Sequence, residues 1–483
     1  MTYPTGVRGT DGVGLLGRIA RWRRLLQLDP FDTATAEGRS AERYRRIAWS
    51  ALLSTIARVV AIAISFITVP LVVGYLGAER YGMWLTISSL IAILSPLDLG
   101  IGNGLRQIVS DASGRDDREA ARRAVSTALV LLSAIAFAVA ALALAAHPAI
   151  PWARLFNVTS SQALAEAGPA AMVLITIFAV GLPLSVVGVI QSASQSGFVT
   201  SLWSIAGSVG SLAALLAAIH ARAGLPLLII ALTGAGLVAA LLNGMLLFGW
   251  QRPWLAPRLR DFRARAVGSL LRVGVLFLIL QLAGAAAYQV DNLVIAQIMG
   301  AQAVQQYAIP VKLFSVAPTL LSFALLPLWP AYREALSRGD VDWVGKTLGR
   351  SIRLGLLINV PAAVLLVITG PFILRLWVGS AVSPTPLLLV GLGTWIVMNS
   401  FTGPLAMLLN GANVIAFQAV CAILMAVANV AVSVFLVAHI GVSGAVYGSI
   451  IAQAVFVLLP SAWYVPRLLA RLRARSVPRE SAS

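Results

Sequence analysis

Four ionisable side chains lie inside long apolar stretches of this sequence: Arg58, Asp98, Asp291 and Lys312. A charge at bilayer depth costs several kcal/mol unless it is paired or faces water, so each of the four is a candidate for function. Arg58 is the strongest candidate, because a rise of about 1.5 Å per residue places it about 16 Å into its stretch, near the membrane midplane. No acidic residue is expected at that depth, and a guanidinium there offers phosphate a bidentate grip.

The other polar candidates have competing interpretations. Asp291 and Lys312 are both expected about 8 to 11 Å below the outer surface, where a structural salt bridge and a role in substrate binding have equal weight. Asp98 is expected deep in the second span, where it either orients Arg58 or, slightly favoured, only caps helix contacts. Asn103 belongs to a set of amides that either line a hydrophilic passage for sugars or bridge helices. The others are Gln281, Gln289, Asn292, Asn359, Asn399 and Asn429.

The composition requires that membrane helices position these residues. Of the 483 residues, 59% are hydrophobic and only 11% are charged, against about 25% charged residues in soluble domains. The net charge of +18 is spread between apolar runs, which argues against a nucleic-acid-binding patch. Cys421 is the single cysteine, so disulfides within the chain and thiolate metal sites are excluded. No nucleotide-binding motif is present, and we expect no metal and no cofactor.

Twelve apolar stretches are long enough to cross a bilayer as helices, which takes about 20 residues each. They are residues 47–73, 82–105, 124–146, 168–190, 200–220, 227–249, 267–298, 307–330, 352–375, 387–409, 418–439 and 444–465. Lipid offers backbone amides no hydrogen-bond partner, so the spans must be helical. The sequence therefore predicts an all-α polytopic membrane protein with 12 transmembrane helices.

Basic residues are distributed very unequally between the two sides of the predicted helices. One side, which includes both termini, carries 29 of the 36 Lys and Arg residues. The loops of the other side hold only Arg80, Arg154, Arg222 and Arg375. Because short basic loops stay in the cytoplasm, we predict that both termini are cytoplasmic.

The two halves of the chain resemble each other at an offset of about 223 residues. The segment from Leu76 to Ala78, for example, recurs as Met299 to Ala301. Six spans per repeat predict two six-helix bundles related by a pseudo-two-fold axis along the membrane normal, an arrangement that suits alternating access. The predicted units are a basic tail (1–46), an N-terminal bundle (47–249), an amphipathic linker (250–266), a C-terminal bundle (267–465) and a second basic tail (466–483).

A local motif carries a resemblance to a known family. The residues from Asp98 to Arg106, preceded by those from Gly77 to Trp84, resemble the bacterial polysaccharide transporter family. That family includes the O-antigen flippases and lies in the multidrug/oligosaccharidyl-lipid/polysaccharide (MOP) superfamily, and the resemblance covers about residues 45–465.

The resemblance implies a MATE-like fold and a function. It implies translocation of a polyprenyl-diphosphate-linked oligosaccharide from the inner to the outer leaflet of the bacterial cytoplasmic membrane. It also implies a cationic cavity, with Arg58 placed similarly to the first-span arginine of related lipid II flippases. This sequence has fewer intramembrane cations than those relatives, which disfavours lipid II itself as the cargo.

Two other functions compete with a flippase. A drug or cation antiporter of the same superfamily would need a cavity dominated by carboxylates, whereas the four intramembrane charges sum to zero. A membrane enzyme acting on lipid-linked sugar would need acid/base residues in a sizeable external loop. The longest such loop, residues 147–167, offers only His147, Arg154 and Glu166, so we do not expect an enzyme.

The expected partners follow from the flippase hypothesis. They are a lipid-linked oligosaccharide, anionic lipids on the cytoplasmic face and, as a further candidate, the polysaccharide polymerase machinery. We expect no nucleic-acid partner, and we expect the protein to be a monomer.

The N-terminal tail, residues 1–46, has two interpretations of equal weight. It contains an apolar face from Leu15 to Leu26 with neighbouring arginines. This pattern fits an interfacial helix on anionic lipid and equally fits a disordered basic tail.

Overall fold

The computed structural model describes residues 36–94, 98, 100–115, 117–194, 196–262, 267–268, 278, 281–282, 289–325 and 328–476. In these ranges the regular structure is helical and contains no strand. The apolar face from Leu15 to Leu26 and most of the predicted span 267–298 lie outside the described residues.

The N-terminal half, described between residues 36 and 262 with short gaps, contains six helices of more than ten residues and a short helix, Trp152–Leu155. The six longer helices are α1 (Ala36–Leu94), α2 (Ile101–Gly114), α3 (Arg118–Ala146), α4 (Ser161–Ala193), α5 (Gly197–His220) and α6 (Leu225–Leu246). Asp117 caps α3 by accepting a hydrogen bond from the Ala120 amide, and Ser160 caps α4 in the same way. Such caps satisfy amides that the first turn of a helix leaves without a partner.

The C-terminal half is described from residue 289, and its first helical stretch covers residues 289–299. The later helices are α7 (Ala301–Phe314), α8 (Val316–Leu325), α9 (Leu328–Ser337), α10 (Val341–Val378), α11 (Pro386–Gly411), α12 (Ile415–Ile440), α13 (Ser443–Gln453) and α14 (Leu459–Ser476). A short π-helical turn, Ala454–Leu458, connects α13 to α14.

Helix α1 is divided at Gly77. Its apolar part, Leu52–Leu94, has 43 residues and would be about 65 Å long if straight, about twice the thickness of the hydrocarbon core. Gly77 interrupts it with φ 75° and ψ 173°, a conformation that residues with a Cβ rarely adopt. The first arm of α1 (residues 36–76) contains the predicted first span, and the second arm (78–94) contains most of the predicted second span.

Two predicted spans are interrupted in the structure. The span 82–105 ends as a helix at Leu94 and resumes as α2 after Gly100, which has a left-handed φ of 71°. The span 307–330 is interrupted by a turn at Ser315, between α7 and α8, and residues 326–327 lie outside the described ranges. Within the described ranges nine helices are long and apolar enough to cross a membrane, so the count of 12 remains a prediction.

The four arginines of the sparsely charged loops, Arg80, Arg154, Arg222 and Arg375, lie at what we call the arginine-poor end; the opposite end is the arginine-rich end. At the arginine-poor end Arg80 forms a bidentate salt bridge with Glu166, with both N–O distances 2.7 Å. Glu166 also accepts the Leu225 amide at 3.1 Å. This carboxylate therefore joins α1, α4 and α6.

The hydrogen bonds that join the halves among the described residues run from the arginine-poor end to about mid-membrane. At that end, the Asn157 side chain donates to the carbonyl of Ala296 at 3.1 Å. The Trp377 indole donates to the Phe66 carbonyl at 2.7 Å, and the two rings stack with centroids 4.5 Å apart. Deeper in, the Asn292 amide donates to Ser89 at 2.8 Å.

The closest approach of the two halves requires a glycine. A Cβ built on Gly82 in the second arm of α1 would lie 1.7 Å from the carbonyl oxygen of Ala301 in α7. No flexible side chain can move to relieve this contact, because the obstacle is backbone. Gly82 therefore allows the halves to close against each other.

We predict that Gly82→Val opens this contact. Forced overpacking costs about 1–3 kcal/mol, which corresponds to a shift of roughly 5- to 150-fold in the closed population. The measurement is the cross-linking yield of Ser89→Cys with Asn292→Cys, whose native side-chain atoms are 2.8 Å apart, in a Cys421→Ser background. Gly74→Val is the matched control, since a Cβ there meets nothing within 4 Å. An equal yield for the two valine variants would refute the role of Gly82.

Candidate functional site

A cavity of about 810 Å³ lies between the two halves. The second arm of α1 forms one wall, and residues 289–299, α7, α11 and α13 form the others. Its side chains include a cation, a carboxylate, amides, hydroxyls and an indole, which are Lys312, Asp291, Asn292, Asn399, Gln289, Ser88, Ser89, Ser449, Tyr307 and Trp395. The polar character of this cavity makes it the candidate site, since ligand pockets combine apolar walls with a few convergent polar groups.

Asp291 is buried, with 4% of its surface exposed, and holds three helices together. Its Oδ2 accepts hydrogen bonds from the Tyr307 hydroxyl at 2.8 Å and from the Ser449 hydroxyl at 3.0 Å. Its Oδ1 accepts the Asn429 amide at 3.2 Å. These donors come from α7, α13 and α12 in turn. Buried charges persist in proteins when hydrogen bonds or counter-ions compensate them, and here three hydrogen bonds do so.

A second layer supports this carboxylate. The Ser433 hydroxyl donates to Asn429 Oδ1 at 3.1 Å, and the single Ser449 proton is shared between Asp291 Oδ2 and Asn429 Oδ1, which is also 3.1 Å away. These contacts orient the amide so that its nitrogen faces Asp291. A Cβ at Gly448 would lie 2.2 Å from the Ser433 hydroxyl, so α13 approaches α12 closely because residue 448 is glycine. The network therefore fixes how these helices pack in the C-terminal half.

Lys312 lines the same cavity from α7 and is half-buried. It does not form the salt bridge with Asp291 that the sequence allowed; its ammonium has neither a hydrogen bond nor an ion pair with another described residue. Because Asp291 is engaged by three protein donors, the two charges share a cavity without neutralising each other by contact. Lys312 is thus a cation whose three donors remain available to a ligand.

Asn292 contributes a buried acceptor at the junction of the halves. Its nitrogen is used by Ser89, whereas its Oδ1 has no hydrogen-bond partner among the described residues. On the opposite wall, the Asn399 nitrogen donates to the Trp395 carbonyl at 2.8 Å. Of the amides selected from the sequence, Gln289, Asn292 and Asn399 line this cavity. Asn359 instead bridges α10 to α11 by donating to Ser400 at 3.0 Å.

The structure does not bring Arg58 into this cavity. Arg58 lies on the first arm of α1 and is exposed, like its neighbours Ile56 and Val59. It interacts with another residue of the chain, and it is absent from the cavity lining. Sequence depth alone cannot decide which face of a helix a side chain occupies, and this is why the sequence ranked Arg58 above Lys312.

Asp98 and Asn103 belong to the break between α1 and α2. Asp98 Oδ1 accepts the Gly100 amide at 3.0 Å, which stabilises the turn that leads into α2. This contact matches the capping interpretation of Asp98, and the residue does not line the cavity between the halves. Asn103 lies in α2, and its side chain is outside the described part of the structure.

Sequence reasoning missed several residues of the cavity. Ser88, Trp395 and Ser449 were not selected, because a serine or tryptophan inside an apolar span carries no charge signal. Tyr307, another lining residue, is also absent from the candidates that the sequence indicates. A buried tyrosine hydroxyl usually needs a hydrogen-bond partner, so pairing Tyr307 with Asp291 was the one signal available.

Three polar residues of the external segment 147–167 were considered for acid/base chemistry, and two of them have structural contacts. Glu166 pairs with Arg80 as described above. His147 Nδ1 is 3.0 Å from the indole nitrogen of Trp152, which donates to it. Among the described residues no three His, Cys, Asp or Glu side chains are grouped in a way that would hold a metal ion.

Comparison with known sequences identifies related proteins. The profile of a family described as "Polysaccharide biosynthesis protein" matches residues 47–334. The protein named "Uncharacterized membrane protein EpsK" of Bacillus subtilis (strain 168) is 30% identical over 246 residues, which cover 49% of this chain and 47% of that protein. The match with this relative therefore spans about half the length of each.

Solved structures of MOP-superfamily transporters share the fold. An inward-facing MATE multidrug transporter has a TM-score of 0.74 at 17% identity, covering 94% of this chain and 99% of that chain. An outward-facing MATE transporter has a TM-score of 0.62 at 17% identity, covering 93% and 98%. A MOP transporter from Pyrococcus furiosus has a TM-score of 0.64 at 17% identity, covering 89% and 96%. The prediction of an all-α, MATE-like membrane protein is confirmed.

We predict that Asp291→Leu lowers thermal stability strongly. The substitution leaves the Tyr307 hydroxyl and the Asn429 amide nitrogen without the acceptor they use here, and each buried donor left unpaired costs about 1–3 kcal/mol. Thermal unfolding of the purified protein in detergent measures the effect. The exposed Asp111→Leu serves as the control, with a change of about 0.5 kcal/mol or less. If both variants unfold at the same temperature, the Asp291 network does not hold α7, α12 and α13 together.

Proposed function

Because this chain belongs to the polysaccharide biosynthesis protein family, we propose that it is a flippase for cell-surface polysaccharide synthesis. Family and fold are those of a membrane transporter rather than an enzyme. The proposed cargo is an oligosaccharide linked to a polyprenyl diphosphate, and the proposed route crosses the bacterial cytoplasmic membrane. The observation that carries the proposal is Lys312, a cation with no partner among the described residues, in a polar cavity between the two halves.

Lys312 is suited to the diphosphate part of the cargo. An ammonium group that is half removed from water attracts phosphate more strongly than an exposed one, and charge-assisted hydrogen bonds to phosphate are short and strong. Asp291 lines the same cavity and carries the opposite charge. Its oxygens are occupied by Tyr307, Asn429 and Ser449, and this lowers its ability to neutralise Lys312.

The other cavity side chains suit a sugar. Ser88, Asn399 and the buried Oδ1 of Asn292 provide donors and acceptors for hydroxyl groups. Trp395 adds an apolar aromatic surface with a polar edge. A cavity of about 810 Å³ is within the usual range for a small-molecule site, about 300–1,000 Å³, so it would accommodate part of the cargo while the prenyl chain stays in lipid.

The arrangement of the halves supports alternating access. The hydrogen bonds between them lie toward the arginine-poor end, which the distribution of basic residues assigns to the outside. We infer that the structure corresponds to a state closed to the outside, with both termini in the cytoplasm. Rocking of the two bundles about the cavity would then open the cavity to the outside.

Arg58 remains a proposed substrate contact, for a different step. It lies on the first arm of α1 and outside the cavity, so any contact with diphosphate has to occur in another conformation or nearer the arginine-rich end. We expect Arg58→Lys to retain part of the transport activity and Arg58→Ala to abolish it. Transport at the wild-type rate by both variants would remove Arg58 from the proposed mechanism.

We predict that Lys312→Ala slows flipping of a fluorescent polyprenyl-diphosphate sugar in proteoliposomes. Loss of a hydrogen bond to a charged group costs about 1.5–3 kcal/mol, which is roughly a 10- to 150-fold change. Lys312→Arg keeps the charge and should retain most of the activity. Arg338→Ala is the control, because Arg338 is exposed and pairs with Glu334 at the surface. Unchanged flipping by Lys312→Ala would overturn the assignment of the site.

The same variants distinguish the competing drug or cation antiporter. An antiporter that uses the carboxylate would extrude drugs from growing cells, would survive Lys312→Ala and would fail with Asp291→Asn. A flippase of anionic cargo would instead lose transport with Lys312→Ala and keep it with Asp291→Asn, provided that the purified Asp291→Asn protein is folded. The single carboxylate of the cavity, already engaged by three donors, favours the flippase.

A further inference from the structure

A second charged cavity lies at the arginine-rich end, between α10 and α14. It has a volume of about 540 Å³ and is lined by Lys346, Arg350, Arg353 and Arg473 together with two glycines, Gly345 and Gly349. All four cations are exposed. We call this feature the basic groove. It is separate from the cavity of Lys312 and Asp291, with which it shares no lining residue.

The sequence of α10 places these cations together. Lys346, Arg350 and Arg353 are spaced four and three residues apart, so they project from the same face of the helix. The apolar residues Val344 and Leu348 belong to the cluster that contains Val465 of α14. This packing positions the basic face of α10 beside the C-terminal part of α14, where Arg473 lies.

The two glycines keep the floor of the basic groove open. A Cβ built on Gly349 meets no atom within 4 Å, and a Cβ on Gly345 would come within 3.8 Å of the Arg473 guanidinium. A larger side chain at residue 349 would therefore occupy the groove itself without striking the protein. Glycine is otherwise unfavourable inside a helix by about 1 kcal/mol relative to alanine.

The N-terminal half provides an internal comparison. The start of α3 matches the start of α10 in the repeat, and it carries three arginines. Each of the three has a contact partner within the protein. Arg122 pairs with Asp261 at 2.8 Å, Arg123 pairs with Glu119, and Arg118 lies over the Trp254 ring at 5.5 Å. Basic residues at a cytoplasmic helix end are thus satisfied by the protein in one half.

In the C-terminal half the cations along the first turns of α10, of which Lys346 matches Arg123 at the offset of about 223 residues, are not satisfied in this way. Lys346, Arg350 and Arg353 have no hydrogen bond or ion pair with any residue in the described ranges. Asp342 is the carboxylate among the described residues that line the basic groove, and it pairs with Arg473 at 2.8 Å. The described lining residues thus comprise four cations and one carboxylate, with a net charge of +3. The preference for basic residues on the cytoplasmic side explains the positive charge. It does not explain why these cations surround a cavity whose base is formed by two glycines.

The level of the basic groove indicates the ligand. Arg353 lies at the start of the predicted span 352–375, and Lys346 lies about 10 Å further out along α10, which is the depth of lipid headgroups. Arginine forks match phosphate oxygens, and basic pockets between helices on the cytoplasmic side suit anionic headgroups. We infer that the basic groove binds the headgroup of a lipid that carries two phosphate charges. This inference does not rest on the proposed transport activity.

The inference is tested with the purified full-length protein by native mass spectrometry. The lipids are cardiolipin and undecaprenyl diphosphate, each with two phosphates, and phosphatidylglycerol, with one. Each surface cation contributes about 1 kcal/mol to such binding, so the triple variant K346Q/R350Q/R353Q should weaken binding of the two-phosphate lipid by about 100-fold. The matched triple variant R106Q/R333Q/R338Q removes the same charge elsewhere at the arginine-rich end and should leave the affinity within about twofold.

A second variant tests the shape of the basic groove without changing its charge. Gly349→Leu places a side chain in the open floor and should lower the affinity at least about tenfold, while the thermal stability of the protein is unchanged or higher. The same loss for cardiolipin and for undecaprenyl diphosphate supports the inference, and their relative affinities identify which lipid is preferred. Equal weakening by the two triple variants, or full binding by both Gly349→Leu and K346Q/R350Q/R353Q, would overturn it.

Discussion

Hydrocarbon offers no partner to a buried charge, and the C-terminal half satisfies this constraint around one carboxylate. Asp291 receives hydrogen bonds from Tyr307, Asn429 and Ser449, so α7, α12 and α13 are fixed relative to one another. The consequence for the cavity is indirect. Because Asp291 is satisfied by neutral donors, Lys312 is not drawn into a salt bridge, and a cation stays available beside a polar wall. A structural carboxylate and a binding cation can then occupy neighbouring positions.

At the arginine-poor end, too, a carboxylate needs partners within the protein, and there one of its partners is charged. Glu166 joins α1, α4 and α6 through Arg80 and the Leu225 amide, and the halves then meet where Gly82 allows backbone to touch backbone. The hydrogen bonds between the halves in the described ranges are concentrated toward one end. A single apolar cluster, which includes Met83 and Phe314, continues across the two halves there, so opening this end has to separate part of a shared core.

The two repeats differ in how the basic residues near the start of α3 and α10 are used. Arginines at the start of α3 are paired within the protein, whereas those at the start of α10 surround an open volume. The carboxylate network is also a feature of the C-terminal half. A pair of similar bundles can thus have cations paired within the protein in one half and cations that line open cavities in the other, while both keep the packing that the fold requires.

The sequence by itself determined the class of this protein. Long apolar runs can be stable only as membrane helices, and the motif from Asp98 to Arg106 was enough for the family. The break before α2, where Gly100 has a left-handed φ, was not predicted from the sequence, which indicated one continuous span over residues 82–105. Only the tertiary structure decided which charges share a site. Depth along a helix follows from counting residues, but the direction of a side chain depends on how helices rotate and pack. For this reason Arg58 lies outside the cavity, Asp98 caps a turn, and Lys312 faces the site together with serines and a tryptophan that no local signal identified.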